Sequence, residues 1–167
     1  AEHLGLNTRD VDIWMGTCSK ALAGCGGFIA GESALIEHLK CLAPGFLYSV
    51  GMAPTLAASA LASLDVMQNE PDRLRRLQHN SQYFLQQARA AGLDTGLSQG
   101  YAIVPIIVGS SIRAAQLSAQ LFEQGVNVQP ILYPAVPEAQ ARLRFFISCE
   151  HTQAQIDETV HKVKGLL

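Results

Sequence analysis

Charged residues are scarce in this sequence. Asp, Glu, Lys and Arg make up 16% of its 167 residues, against about a quarter in a typical soluble domain. The formal net charge of −2 gives no reason to expect a nucleic acid or an anionic membrane as a partner. Apolar residues make up 49% of the chain, which is enough for a large core and for further surface buried against something else. The length suits one domain, or one domain and part of another.

Long apolar runs and targeting signals are also lacking. No run approaches the roughly 20 residues that a membrane-spanning helix needs, so we expect no membrane span. The first ten residues have neither a basic start nor an apolar stretch, which predicts no signal peptide and favours a cytoplasmic protein. The chain begins without Met, and we expect it to be a piece of a longer protein.

The cysteines form no metal-binding pattern. There is no C-x-x-C pair, and no His lies at zinc spacing from a Cys. We therefore expect no metal site, and we expect the cysteines to be buried and reduced, as in a cytosolic protein. They are Cys18, Cys25, Cys41 and Cys149.

Apolar periodicity predicts an α/β chain that ends in a compact βαββα unit. Pro105, within the first strand of that unit, predicts an edge position or a bulge. Before the unit, the predicted elements are strands at Val11–Cys18 and Gly26–Gly31, helices at Ser33–Leu42 and Thr55–Gln68, an extended piece at Phe46–Ser49, and a helix from Pro71 to Ala91. Within the unit they are strands at Ala102–Val108, Val126–Leu132 and Leu143–Ser148, a helix at Ser111–Gln124, and a last helix opened by a capping box at Thr152–Gln155.

Two burial patterns follow from the same periodicity. The strand at Val11–Cys18 is apolar on both faces, which is typical of a strand covered by helices on both sides. The helix after Pro71 is predicted to bury one apolar stripe and to end at Gly92. The stripe consists of Leu74, Leu77, Phe84 and Leu85.

One of the four lysines stands apart from the others. Three lie on predicted helices with solvated faces, whereas Lys20 follows a strand within DIWMGTCSKALAGCGG, residues 12–27. Desolvation disfavours a charged amine, and a neutral amine can attack a carbonyl to form a Schiff base. The hydroxyls of Thr17 and Ser19, with nearby backbone amides, could hold a phosphate. An aldehyde and a phosphate together describe pyridoxal 5'-phosphate (PLP).

Other roles for Lys20 stay open on spacing alone. A lysine in a glycine-rich loop can hold phosphate as a point charge, but a P-loop requires G-K-[ST], and the residues here are Ser19-Lys20-Ala21. The nearby glycines do not form G-x-G-x-x-G either. Capping of a helix and pairing with a carboxylate are the remaining alternatives.

Five segments, in order along nearly the whole chain, resemble the α-oxoamine synthases, which are PLP enzymes of fold type I. The resemblance implies an α/β fold of the fold type I PLP-transferases. This chain would then be the C-terminal part of the large domain plus the α+β small domain. The segments are DIWMGTCSKALAGCGGFIAG (12–31), FLYSVGMAP (46–54), YAIVPIIVG (101–109), VQPILYPAVP (128–137) and RLRFFISCEHT (142–152).

The resemblance implies roles for five residues by position. Lys20 matches the catalytic lysine that binds the cofactor PLP covalently. Thr17 and Ser19 match positions that bind the cofactor phosphate. Ser49 matches a hydroxyl that reaches the phosphate of the neighbouring subunit in a homodimer. Arg144 matches the arginine that grips the carboxylate of the amino-acid substrate, for which its planar fork is suited.

Structural alternatives and departures accompany these roles. A structural ion pair at a strand end is the alternative for Arg144, and a structural role in the turn beside the capping box is favoured for His151. Val50 stands where many relatives have Thr, which puts part of the cross-subunit phosphate contact in doubt. No role is assigned to Cys18.

Part of the family's machinery is absent from this sequence. The family has an aspartate for the pyridine nitrogen, in a D-x-x-H strand, and a histidine that stacks on the ring, and both precede the lysine. No D-x-x-H occurs before Lys20. We therefore expect the C-terminal half of a longer enzyme, with residues 1–95 ending the large domain and residues 96–167 forming the small domain, and we expect this chain alone to be inactive.

The activity implied by the resemblance is a PLP-dependent acyl transfer. An amino acid condenses with an acyl thioester, either acyl-CoA or an acyl-carrier protein, usually with decarboxylation, to give an α-amino ketone. An aminotransferase of the same fold is one alternative. A non-catalytic partner subunit that completes the site of another chain is the other.

Overall fold

The computed structural model describes residues 4–167 and divides the chain into two units. The first unit runs to Glu70, and the second comprises Pro71–Leu167. This division assigns the helix that follows Pro71 to the second unit. The boundary predicted between residues 95 and 96 concerns the domains of the longer protein, and it stays a prediction.

A β-hairpin begins the first unit, after a short 3-10 turn at Thr8–Asp10. Strands β1 (Ile13–Thr17) and β2 (Gly27–Gly31) pair antiparallel along their whole length. Both strands were predicted, but burial of β1 on both faces was not a correct expectation, because Met15 in this strand is 73% exposed. A strand is covered on both faces only within a larger sheet with helices on either side, and among residues 4–70 only these two strands pair.

Three helices complete the first unit, namely α1 (Ser33–Leu42), α2 (Pro44–Leu47) and α3 (Pro54–Asn69). Helix α1 has its predicted bounds. Helix α2 replaces the predicted extended piece, because a proline at the first helical position favours a helical start. None of the three helices has a fully buried residue. The first unit therefore presents apolar helix and strand faces that its own described residues do not cover.

The second unit contains the predicted βαββα arrangement, preceded by a long helix. Its three strands form an antiparallel sheet in the order β3-β5-β4. Pro105 lies in the edge strand β3, as predicted, and the other edge strand also contains a proline, Pro130. The elements are α4 (Asp72–Ala90), β3 (Ile103–Ile107), α5 (Ser111–Glu123), β4 (Gln129–Ile131), β5 (Arg142–Phe146) and α6 (Gln153–Leu166).

One face of this sheet packs against the helices and forms the core. Alternate strand residues point inward, and the rings of Phe84 in α4 and Phe145 in β5 lie 5.0 Å apart. The predicted burial of Phe84 and Leu85 is confirmed, whereas Leu74 is 57% exposed, because the first turns of α4 contribute no residue to the buried cluster. The inward strand residues are Val104, Ile106, Leu143 and Phe145.

The loop that leads into β5 is tied to the start of α5. The backbone N–H of Ser111 donates to a carboxylate oxygen of Glu138 at 2.7 Å, and the Ser111 hydroxyl donates to the other oxygen. These hydrogen bonds, that of the side chain first, lower the pKa of the Glu138 carboxyl. The contact fixes the approach of the chain to β5, the central strand.

Helix ends follow their sequence signals. Gly92 adopts a left-handed φ of 76° just after α4, as the predicted stop requires. Before α6, the N–H of Thr152 donates to the Gln155 side chain at 2.9 Å, and the N–H of Gln155 donates to the Thr152 hydroxyl at 3.3 Å, so the predicted capping box is confirmed. No helix within residues 4–167 has both the length and the apolar character that crossing a membrane requires.

The capping box predicts a stability effect. Thr152→Ala removes the acceptor for the N–H of Gln155 and should lower the free energy of unfolding of the second unit by about 1 kcal/mol. Thr152→Ser keeps the hydroxyl and should change it by less than half as much. Urea titrations of the chain, followed by far-ultraviolet circular dichroism, measure both. Equal losses for the two variants would show that the hydroxyl does not cap α6.

Candidate functional site

The loop between β1 and β2 is held by its own backbone. The N–H of Cys18 donates to the carbonyl of Gly26 at 2.9 Å, and the N–H of Gly24 donates to the carbonyl of Cys18 at 2.8 Å. The hydroxyl of Ser59 in α3 donates to the carbonyl of Ala23 at 3.0 Å. The loop is thus closed on itself and attached to a helix, so the side chains that it displays have a fixed base.

Three predicted site residues lie at the start of this loop. Thr17 ends β1, and the hydroxyl of Ser19 donates to the hydroxyl oxygen of Thr17 at 3.5 Å. Lys20 is exposed, and its side-chain amine makes no hydrogen bond or ion pair with any residue from 4 to 167. The pairing of Lys20 with a carboxylate, left open by the sequence, is therefore not observed. The two hydroxyls and the amine are consecutive polar groups on one short segment that a ligand can reach.

The glycines around Lys20 have a structural reason of their own. A Cβ atom on Gly27 would lie 2.8 Å from the carbonyl oxygen of Gly16, and a Cβ on Gly16 would lie 2.5 Å from the ring of Phe28. The two strands can therefore pair this closely only with glycine at position 27, where a Cβ would meet backbone, whereas a Cβ at position 16 would require the Phe28 ring to move. The glycines at positions 16 and 27 thus have a role in the packing of the hairpin, independent of any ligand.

Ser49 lies in the connection between α2 and α3. Its hydroxyl donates weakly to the carbonyl of Val50 at 3.4 Å, and both residues are exposed. Within the described residues this hydroxyl makes no stronger contact, so it is free to meet another molecule. Its predicted role at the phosphate of a neighbouring subunit stays a prediction.

Arg144 lies on the face of the sheet opposite the core. It is half-buried, and its Nε is fully buried without a hydrogen-bond partner. Its in-register neighbours across the sheet are Pro105 and Gln129, neither of which is charged. None of the three strands contains an acidic residue. The structural ion pair that was the alternative for Arg144 is therefore absent from the part of the chain that the structure describes.

A neighbouring arginine on the same face shows the contrast. The Nε of Arg142 donates to the carbonyl of Gln140 at 2.8 Å, and its Nη2 donates to the side-chain oxygen of Gln140 at 3.0 Å. A buried donor without a partner carries a free-energy cost of about 1–3 kcal/mol. A guanidinium that is left unpaired at this cost, with its planar fork intact, is suited to a carboxylate supplied by a ligand.

The aromatic neighbour of Arg144 was missed in the sequence. The Cζ atom of Arg144 lies 4.7 Å from the centre of the Phe146 ring, within the range of a cation–π contact. The signal for this pair was present, because residues two apart in a strand share a face.

His151 accepts a hydrogen bond at Nδ1 from the N–H of Ser148 at 3.2 Å. This contact supports its structural role in the turn before α6.

The predicted site residues are divided between the two units. Thr17, Ser19, Lys20 and Ser49 belong to the first, and Arg144 belongs to the second.

The cysteines were expected to be buried, but only Cys18 is, whereas Cys25 and Cys41 are exposed and all four are free. Within residues 4–167, no group of three or more His, Cys, Asp or Glu side chains is placed to hold a metal ion.

Comparison with known proteins adds sequence relatives. A family model described as "Aminotransferase class I and II" matches residues 1–163. The 8-amino-7-oxononanoate synthase of Symbiobacterium thermophilum is 41% identical over 158 residues, which are 95% of this chain and 40% of that protein. The serine palmitoyltransferase of Sphingobacterium spiritivorum is 39% identical over 163 residues, 98% of this chain and 40% of that protein. The chain spans about 40% of the length of the curated relatives it matches.

A solved structure adds the fold. A high-resolution structure of SPT with a PLP internal aldimine matches with a TM-score of 0.89 and 25% identity, over 99% of this chain and 42% of that one. The predicted fold type I PLP-transferase fold is confirmed by this match and by the family model. The names of the two sequence relatives confirm the resemblance to the α-oxoamine synthases.

The unpaired guanidinium predicts an unusual response to substitution. Arg144→Met removes a half-buried charge and an unsatisfied donor. We therefore expect the free energy of unfolding of the second unit to stay within about 0.5 kcal/mol of the original or to rise. Arg142→Met, the matched control, breaks two hydrogen bonds and should lower it by about 1 kcal/mol. Urea titrations compare the two. A loss above about 1 kcal/mol for Arg144→Met would show that Arg144 is a structural residue.

Proposed function

Because the chain belongs to the class I and II aminotransferase family, we propose that it is the C-terminal part of a PLP-dependent acyltransferase of the α-oxoamine synthase type. The enzyme joins an amino acid to an acyl thioester, usually with loss of carbon dioxide, and releases an α-amino ketone. The observation that carries this proposal is Arg144, whose half-buried guanidinium has no anion within residues 4–167. A substrate with a carboxylate supplies that anion.

The residues of the β1–β2 loop fit PLP. The amine of Lys20 is exposed and has no partner among residues 4–167, as a bond to an aldehyde requires, and the hydroxyls of Thr17 and Ser19 lie beside it in the chain for the phosphate. When bound, PLP supplies an aldehyde for the amine and a ring that accepts negative charge from the α-carbon of the substrate. In this proposal Lys20, Thr17 and Ser19 hold the cofactor.

This chain's own residues then orient the substrate and move one proton. The guanidinium of Arg144 donates two parallel hydrogen bonds to the substrate carboxylate and so fixes the direction of the α-carbon. The amine of Lys20, when it is neutral and not bonded to the cofactor, would accept the proton from the α-carbon of the substrate. The two residues therefore have separate tasks in this proposal.

The chain alone is expected to be inactive in this proposal. Before Lys20 the sequence has only two aspartates, Asp10 and Asp12, and neither starts a D-x-x-H segment. Without the family's aspartate, nothing balances a charge on the pyridine nitrogen, and the capacity of the ring to accept electrons falls. The missing group would come from residues outside this chain.

A homodimer in the cytoplasm completes the proposal. Its support is the free hydroxyl of Ser49, exposed between two exposed apolar residues, Tyr48 and Val50, where a second subunit could bring its phosphate. The amino acid and the acyl chain stay open, as does the choice between CoA and an acyl-carrier protein. The two relatives compared above carry different enzyme names, so the likeness does not select a substrate.

Two alternatives are favoured by particular observations. An aminotransferase of the same fold agrees with the description of the matching family model, and it uses the same lysine and arginine without an acyl thioester. A non-catalytic partner subunit agrees with the small share of its relatives that the chain spans. Lys20 argues against the second alternative, because a subunit that forms no bond to the cofactor does not need this amine.

One test of the proposed function concerns the site of cofactor attachment. Treatment of the full-length protein with PLP, followed by reduction with borohydride, should fix a pyridoxyl group on Lys20 and not on Lys40, Lys162 or Lys164, because Lys20 alone has hydroxyls beside it for the phosphate. Peptide mass spectrometry locates the adduct. The three other lysines are the internal controls, and even labelling of all four would contradict the proposal.

Activity assays distinguish the three candidate functions. In the full-length protein, an amino acid with an acyl-CoA should give an aminoketone, and an amino acid with a 2-oxo acid should give no exchange of amino groups. Lys20→Ala should lower aminoketone formation by about 100-fold or more, because the proton acceptor is lost. Amino-group exchange without aminoketone would establish the aminotransferase. Full activity of a complex that contains Lys20→Ala would establish the non-catalytic subunit.

A further inference from the structure

The ring of Phe146 is the partner of the Arg144 guanidinium. The two side chains lie two residues apart on the outward face of β5, with the Cζ atom 4.7 Å from the ring centre. A ring that receives a cation on its face takes up none of the five N–H donors of an arginine. Phe146 therefore contacts the guanidinium and leaves the N–H donors of its two terminal nitrogens for a ligand.

No other group within residues 4–167 holds this guanidinium. The side chain of Arg144 has no hydrogen bond or ion pair in that part of the chain. Its in-register neighbour Pro105 lies on one side, and Gln129 on the other side donates its side-chain amide to Asn127 at 3.4 Å. The ring contact is thus the one specific interaction that restrains the head of the side chain.

An aromatic partner suits a substrate-binding arginine better than an acidic one. An arginine side chain loses considerable rotamer entropy when it is fixed, so a guanidinium that is held before the substrate arrives binds a carboxylate more tightly. A carboxylate partner would hold it too, but it would neutralise the charge and occupy the fork. A phenyl ring restrains the cation without competing for it.

We propose that Phe146 is a positioning residue, which holds Arg144 for the carboxylate of the amino-acid substrate. This inference rests on the proposed function for the identity of the ligand, whereas the restraint of Arg144 by the ring does not. Phe146 itself is 52% exposed and lies outside the buried cluster of the second unit. Its replacement should therefore affect Arg144 more than the fold.

The kinetic test compares Phe146→Leu with Phe146→Tyr in the full-length holoenzyme. Loss of the ring should raise KM for the amino acid by about 3- to 10-fold. The kcat and the KM for the acyl thioester should change by less than about twofold, because the lost interaction is made with bound substrate and transition state alike. Phe146→Tyr keeps an aromatic face and should restore the original KM. Phe122→Leu, which removes another exposed ring of the second unit, is the matched control. It should leave kcat and both KM values unchanged.

A second measurement does not depend on activity. In the apo full-length protein labelled with 15N-arginine, the Nε–H signal of Arg144 is assigned by its loss in Arg144→Lys. Its heteronuclear NOE should report a rigid group in the original protein and in Phe146→Tyr, and a mobile group in Phe146→Leu.

The outcomes separate this inference from the proposed function. An unchanged KM for the amino acid in Phe146→Leu, or an equally rigid Arg144 signal in that variant, overturns the positioning role. An equal rise in the KM for the amino acid in Phe146→Leu and Phe122→Leu also overturns the positioning role, since it indicates general damage to the second unit. If no variant, including the original protein, forms aminoketone or exchanges amino groups, then the proposed function fails, and the NOE alone decides whether the ring restrains Arg144.

Discussion

The alternation of side chains along β5 is the constraint on which the second unit depends. Leu143 and Phe145 point into the core, and the ring of Phe145 packs 5.0 Å from that of Phe84. The period of two then forces Arg144 and Phe146 to the opposite face. A shift of the register by one residue would bury a guanidinium and expose the core. The same alternation therefore buries the residues that stabilise this unit and places Arg144 on its outer face.

The first unit depends on a different constraint, which is the close approach of two strands. Gly27 leaves room for the carbonyl of Gly16 on the opposite strand, and the hairpin closes the loop that displays Lys20. This unit has little core of its own, since its three helices have no fully buried residue. Its local structure is thus specified by backbone geometry, while its apolar faces are not covered by its own described residues.

The sequence predicts local structure better than burial. Helix α1, the βαββα order, the edge position of Pro105 and the capping box at Thr152 were all predicted, because each has a signal within a few residues. The predicted burial of β1 on both faces was wrong, because among residues 4–70 this strand pairs with β2 alone. The exposure of Leu74 was not predicted either, since the apolar period of α4 continues beyond the sheet that it packs on. Of the site, the residue types and their segments could be predicted, and the Phe146–Arg144 contact could have been predicted from the strand period.

A comparison of cations shows why Arg144 marks a site more clearly than Lys20 does. An exposed lysine without a partner is ordinary, and structure alone does not single out Lys20; its position after β1 and its two hydroxyl neighbours do. Half-buried cations are different, because partial desolvation makes an unpaired charge costly. Among residues 4–167 the half-buried lysines and arginines are Lys162, Arg142 and Arg144. Lys162 bonds to Glu158 and to the carbonyl of Gln124, and Arg142 bonds to Gln140. Arg144 has only a phenyl ring, so its charge is kept at a cost to stability, and in the proposed function the carboxylate of the substrate offsets that cost.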